Sequence, residues 1–139
     1  MPNAELFLIL AMVYFKTNQI AKDMSMLDSV IKYDPKNFNA FKDMGDVLFK
    51  MARYQEAVEA FKKAVELNPE FVFAYQNMGT AFANLKEYEK ALECFHKVLE
   101  LDANNKEVYK FMGMIYQIKG DSARAKENFE KANGREVGK

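Results

Sequence analysis

The feature that most constrains this chain is a register of small and aromatic residues that recurs every 34 positions. Gly45, Gly79 and Gly113 stand 34 residues apart, each directly preceded by a methionine (Met44, Met78, Met112). Four positions before each glycine is an aromatic residue (Phe41, Tyr75, Tyr109), and twelve after it an alanine (Ala57, Ala91, Ala125). Phe61, Phe95 and Phe129 follow four residues later. Self-similarity at a fixed period in this range marks helical arrays and solenoids.

Extending the period backward divides the chain into units 4–37, 38–71, 72–105 and 106–139, a single domain over 1–139 with no linker. Within a unit the apolar positions follow the i, i+3, i+4, i+7 spacing of one helix face, as in Phe41, Met44, Gly45 and Leu48. A second such run follows in Tyr54, Ala57, Phe61, Ala64 and Val65. The short polar breaks between them (Ala52-Arg53, Lys86-Glu87, Gly120-Asp121) predict antiparallel helix pairs. Pro2, Pro35 and Pro69 sit at unit edges, where proline does not interrupt a helix. A glycine inside a helix costs roughly 0.5–1 kcal/mol against alanine, so three in register need a packing reason. Opposed to the alanine twelve residues on, each is expected to let two helix backbones approach closely.

These residues resemble the tetratricopeptide repeat (TPR) family. The second unit carries the family pattern in Phe41, Met44, Gly45, Ala57, Phe61, Ala64 and Pro69, with Leu48 where an aromatic is usual. The third matches with Tyr75, Met78, Gly79, Phe82, Ala91 and Phe95, and the fourth with Tyr109, Met112, Gly113, Tyr116, Ala125, Phe129 and Ala132. Val98, Ala103 and Val137 depart from it, and the first unit diverges most, with Phe7, Leu10, Ala11, Tyr14, Leu27, Val30 and Pro35. The resemblance implies an all-α fold, an α-solenoid or TPR superhelix of four antiparallel helix hairpins and eight helices, in a right-handed arc. Asp23 stands in the first unit where the others have a small apolar residue. A buried unpaired carboxylate is expensive, so the first hairpin is expected to splay until Asp23 reaches water or a lysine; the alternative is a polar contact to a partner.

Twenty basic and twenty acidic residues cancel, and only the last unit is mildly basic, with 8 basic against 5 acidic residues. Helical repeats that read RNA need a basic surface, so no nucleic acid partner is expected. The single cysteine, Cys94, excludes an internal disulfide. The apolar run Leu6–Phe15 is too short to span a bilayer, follows no basic residue and precedes no small-x-small cleavage site; no membrane insertion is expected, and the location is read as cytoplasmic, with the periplasm compatible. His96 and Cys94 supply at most two metal ligands, and the three glycines are not followed by Gly-Lys-Ser/Thr. No catalytic constellation emerges, so the chain is expected to be non-enzymatic, with no cofactor and no metal.

The family resemblance implies a different working surface, the concave groove lined by the first helix of each unit. Its candidate peptide-binding residues are Leu8, Met12 and Phe15, then Lys42, Asp46, Phe49 and Lys50, then Phe73, Gln76, Asn77, Thr80 and Asn84, then Lys110, Met114 and Gln117. Glu107 and Ile118 fall on the same mapping. Asn77 occupies the place where family members hydrogen-bond a peptide backbone. The family's carboxylate clamp is matched by Lys42 and Asn77 and broken by Asp46, Glu107 and Phe111, so a C-terminal carboxylate is not the expected ligand. The expected function is a protein–protein interaction module or adaptor holding a partner peptide. The alternative is a self-assembling scaffold, because a first helix apolar nearly all round (Leu6, Ile9, Val13 besides the groove positions) normally packs on several sides. It could join copies into a homo-oligomer.

Overall fold

The structure is a computed structural model that describes the backbone of residues 4–134 and, within it, all side chains except those of residues 4–8 and 15. Seven helices follow in order: α1 Ala4–Tyr33, α2 Phe38–Lys50, α3 Tyr54–Leu67, α4 Val72–Asn84, α5 Tyr88–Leu101, α6 Lys106–Ile118 and α7 Ser122–Ala132. No strand occurs among the described residues. The helices pack as antiparallel pairs, α2 on α3, α4 on α5 and α6 on α7, and consecutive pairs stack. The architecture is an all-α solenoid.

Each pair is closed by the same local device. Ala52, Lys86 and Gly120 hold φ of +59°, +62° and +81°, one left-handed residue at the same place in each of the three pairs. The following amide reaches back to a carbonyl five residues earlier: Arg53 N–H to Leu48, Glu87 to Phe82 and Asp121 to Tyr116, each at 2.9 Å. This is the paired hydrogen-bond closure that ends helices on a left-handed residue. Glycine adopts it freely at 120, whereas Ala52 and Lys86 carry a penalty of roughly 1–2 kcal/mol. At the other ends, Asn37, Asn105 and Asp121 accept from the backbone N–H groups of Ala40, Val108 and Arg124, satisfying donors that a helix start leaves open.

The helices of each pair lie close, as expected, and the glycines serve this packing by leaving room for a ring. A Cβ on Gly45 would stand 2.5 Å from the Phe61 ring, one on Gly79 2.6 Å from Phe95, and one on Gly113 2.8 Å from Phe129. Each glycine therefore makes room for the phenylalanine sixteen residues later. Phe61 and Phe95 are sealed by this contact, at 0% and 1% exposure, beside Ala57 and Ala91 at 0%.

The first unit departs from the expected eight helices. Residues 4–33 form one continuous helix instead of a hairpin, about 45 Å long at 1.5 Å per residue. Closing a hairpin there would set Asp23 at the position held by Ala57 and Ala91, both fully buried. A carboxylate with no partner is not tolerated in such a place. In the straight helix Asp23 is half-buried, reaches water as expected and accepts a hydrogen bond from Gln19 at 3.0 Å; no splayed hairpin forms, and among the described residues no lysine pairs with it.

The joints between stacked pairs are unequal. Ala60, Ala64, Ala74 and Ala81 are buried between α3 and α4, which lie backbone-close. Thirty-four residues on, the same places hold Cys94, Val98, Val108 and Ile115, also buried, and α6 stands farther from α5. Bulkier side chains wedge this joint apart, and a cavity opens there.

Candidate functional site: the face of α2, α4 and α6

The first helices of the last three pairs, α2, α4 and α6, share one face and carry most of the expected groove residues. A cavity of about 350 Å³ lies across all three, lined by Asp46, Phe49, Lys50, Gln76, Asn77, Thr80, Glu107 and Phe111. A second, of about 230 Å³, sits between α4 and α6 and is lined by Thr80, Ala83, Asn84, Tyr88, Phe95, Phe111, Met114, Ile115 and Ile118. The two share Thr80 and Phe111 and so adjoin. A third, of about 350 Å³ on the α1 side, is lined by Asp23, Met26, Leu27, Asp43, Asp46, Val47 and Lys50.

The floor of the first cavity is a polar network. Asp46 is held by Lys42 Nζ at 2.6 Å on its own helix and by Asn77 Nδ2, donating at 2.8 Å from α4. Asn105 Nδ2 donates to Gln76 Oε1 at 3.1 Å while its own Oδ1 caps α6. Gln76 is only 8% exposed, and among the described residues its Nε2 donor has no protein partner. It remains available at the cavity wall. Asn77 gives one N–H of its Nδ2 to Asp46, which leaves the second N–H to donate and its Oδ1 to accept.

The expected site residues divide accordingly. Asp46, Phe49, Lys50, Gln76, Asn77, Thr80, Asn84 and Met114 line these cavities, and Lys42 supports them through Asp46. Met12 lies on the exposed half of α1, Phe73 is 66% exposed at the start of α4, and Lys110 and Gln117 are exposed on α6; none of the four lines a cavity described above. Leu8 and Phe15 lie outside the described side chains. Tyr88, Phe95, Ala83 and Ile115 were missed, and Phe111 was weighed only as a break in the carboxylate clamp. Phe111 was findable, since it stands 34 residues from Asn77 and so on the same face. The others depend on the width of a joint, which a pattern of residue types does not report.

His96 is exposed, and Cys94 is buried with its thiol pushed up to about 12, first by burial and then by neighbouring Glu93, with Lys62 opposing. Among the described residues no group of three or more His, Cys, Asp or Glu is placed to hold a metal ion. No helix among them is long and apolar enough to cross a membrane.

Comparison with known proteins adds to this geometry. Residues 26–135 match the sequence model of the family described as the cilia and flagella-associated protein 70 middle TPR-like domain. No curated protein matches the chain. Among solved structures, a crystal structure of MamA superposes with a TM-score of 0.81 at 25% identity, over 95% of this chain and 77% of that one. Residues 41 to the end of MamA from Desulfovibrio magneticus RS-1 give 0.78 at 26% identity, over 86% of this chain and 67% of the other.

Proposed function

Since the chain belongs to the family of the cilia and flagella-associated protein 70 middle TPR-like domain, we propose that it is a non-enzymatic interaction module that holds a peptide segment of a partner protein on its α2/α4/α6 face. The observation that carries this is the adjoining pair of cavities across three stacked helices, whose linings mix amide, hydroxyl and charged groups with aromatic and aliphatic side chains. Ligand sites combine a largely apolar lining with a few placed polar groups in this way, and helical repeats offer extended faces for peptides. The repeat units 4–37, 38–71, 72–105 and 106–139 act in this proposal as one domain. A cytoplasmic location suits a lone reduced thiol. The test is a pull-down comparing wild type with a Phe49→Ala, Asn77→Ala variant of unchanged circular dichroism. Partners lost from the variant alone support the proposal, and identical recovery from both removes it.

A second reading, a self-assembling scaffold, is favoured by α1. Ile9, Leu10, Met12, Val13 and Tyr14 are each more than half exposed along one helix, and contiguous apolar surface of this kind marks an interaction site. Size-exclusion with light scattering across a hundredfold concentration range separates the two. Growth of the assembly, abolished by Ile9→Lys with Val13→Lys, supports the scaffold. A constant monomer mass leaves the adaptor alone.

A further inference from the structure

The three groove helices present the same register positions, and their chemistry changes from one to the next. At positions 34 residues apart, α2 shows Asp43, Asp46 and Lys50, α4 shows Asn77, Thr80 and Asn84, and α6 shows Phe111, Met114 and Ile118. The face therefore runs from charged, through neutral polar, to apolar. The apolar end has depth, because the wedged α5–α6 joint admits the cavity as far as Phe95 and Ile115, which are 1% and 2% exposed. No charged side chain lines that cavity. Met114 and Ile118 at its rim are 47% and 62% exposed, large apolar groups left in water.

The charges on the remaining cavities do not balance. Asp23, Asp43, Asp46 and Glu107 line them against Lys50, and Lys42 is tied to Asp46, so four carboxylates face two ammonium groups. Asp43 and Glu107 form no ion pair among the described residues. An acidic peptide would meet uncompensated repulsion along this path, whereas a basic one would gain complementarity at short range.

We infer that the groove selects a cationic peptide segment of a partner protein, with one leucine-, methionine- or phenylalanine-sized side chain inserted between α4 and α6 and its basic residues directed toward Asp43 and Glu107. The inference rests on the α2/α4/α6 face being the binding surface. It adds which end takes the anchor and which sign of charge is accepted. Burial of one such side chain supplies the larger part of the affinity, because a well-desolvated central anchor dominates peptide interfaces. The basic residues set sign preference and salt dependence.

The probe is a random dodecapeptide library displayed on phage and selected against the full chain, followed by titration of the enriched peptides. Expected are peptides with net positive charge and one large apolar residue. Ala83→Phe, whose ring fills the cavity, and Ile118→Ser, at a residue mostly in solvent, should each weaken binding about tenfold or more while the melting temperature stays put. Asp43→Lys combined with Glu107→Lys should weaken the basic peptides similarly and remove their salt dependence. Enriched peptides that are acidic or wholly polar overturn the inference. So do peptides that ignore Ala83→Phe and Ile118→Ser yet are lost with Phe49→Ala, Asn77→Ala, though the groove itself then stands. Peptides insensitive to both sets, or no enrichment, remove the groove as the binding surface and the inference with it.

Discussion

Gly79 illustrates how a single missing side chain sets the packing of a pair. Gly79→Ala gains about 1 kcal/mol of helix propensity but drives its methyl 2.6 Å from a ring that is 1% exposed. Overpacking of this kind costs about 1–3 kcal/mol, so a net loss of up to about 2 kcal/mol is expected in urea denaturation. Gly113→Ala should be nearly neutral, because Phe129 is only half-buried and can give way. The first unit holds Ala11 and Leu27 at the two equivalent places, and Gly79→Ala combined with Phe95→Leu should therefore be less damaging than the sum of the single changes. Strict additivity in that double-mutant cycle would contradict the contact. Cys94 offers a pH signature. Its thiol is held neutral up to about 12 in the fold, against 9.0 for an unconstrained thiol. The folded pKa is the raised one, so this contribution is complete below pH 9 and is lost as pH rises from there toward 12, by at most about 1.4 kcal/mol per pH unit. Cys94→Ala should flatten that part of the stability profile, and an unchanged slope would show that the thiol is not responsible.

At the scale of the element, α1 is the informative case. Asp23 stands where a closed hairpin needs a fully buried small side chain, and Asn18 occupies the place of the left-handed residues Ala52, Lys86 and Gly120. Asparagine tolerates that conformation well, so the turn is chemically available and the carboxylate is what opposes it. Asp23→Ala should let the first half of α1 fold back on the second. Small-angle scattering should then show a shorter maximum dimension, and dye binding to the exposed Ile9–Tyr14 stretch should fall; no change in either would mean that Asp23 does not hold the helix straight. The three regular pairs were legible in the sequence because glycine, alanine and phenylalanine recur in phase and every unit contributes its own turn. The periodicity also extended over the first unit and predicted a hairpin there. Asp23 signalled trouble, but the consequence, a straight helix rather than a splayed pair, depends on the tertiary cost of one buried charge. The groove was legible on α2 and α4 for the same reason of register. On α6 it was only partly so, since its cavity arises from the difference in size between alanines at one joint and Val98, Val108 and Ile115 at the next.

For the molecule as a whole, stability in a stacked array is a sum of unit and nearest-neighbour contributions, so a wide joint is a weak link. Amide hydrogen exchange should be faster in α6 and α7 than in α4 and α5, with a step between Leu101 and Lys106, and a uniform profile would argue that the joints are energetically alike. The side chains that spread this joint thereby do two things at once. They leave a slot and they soften the spine of the stack beside it, so whatever enters the slot also braces the backbone. Occupancy would be felt as stiffening of the far end of the array, which turns a passive gap into a place where capture and rigidity are coupled.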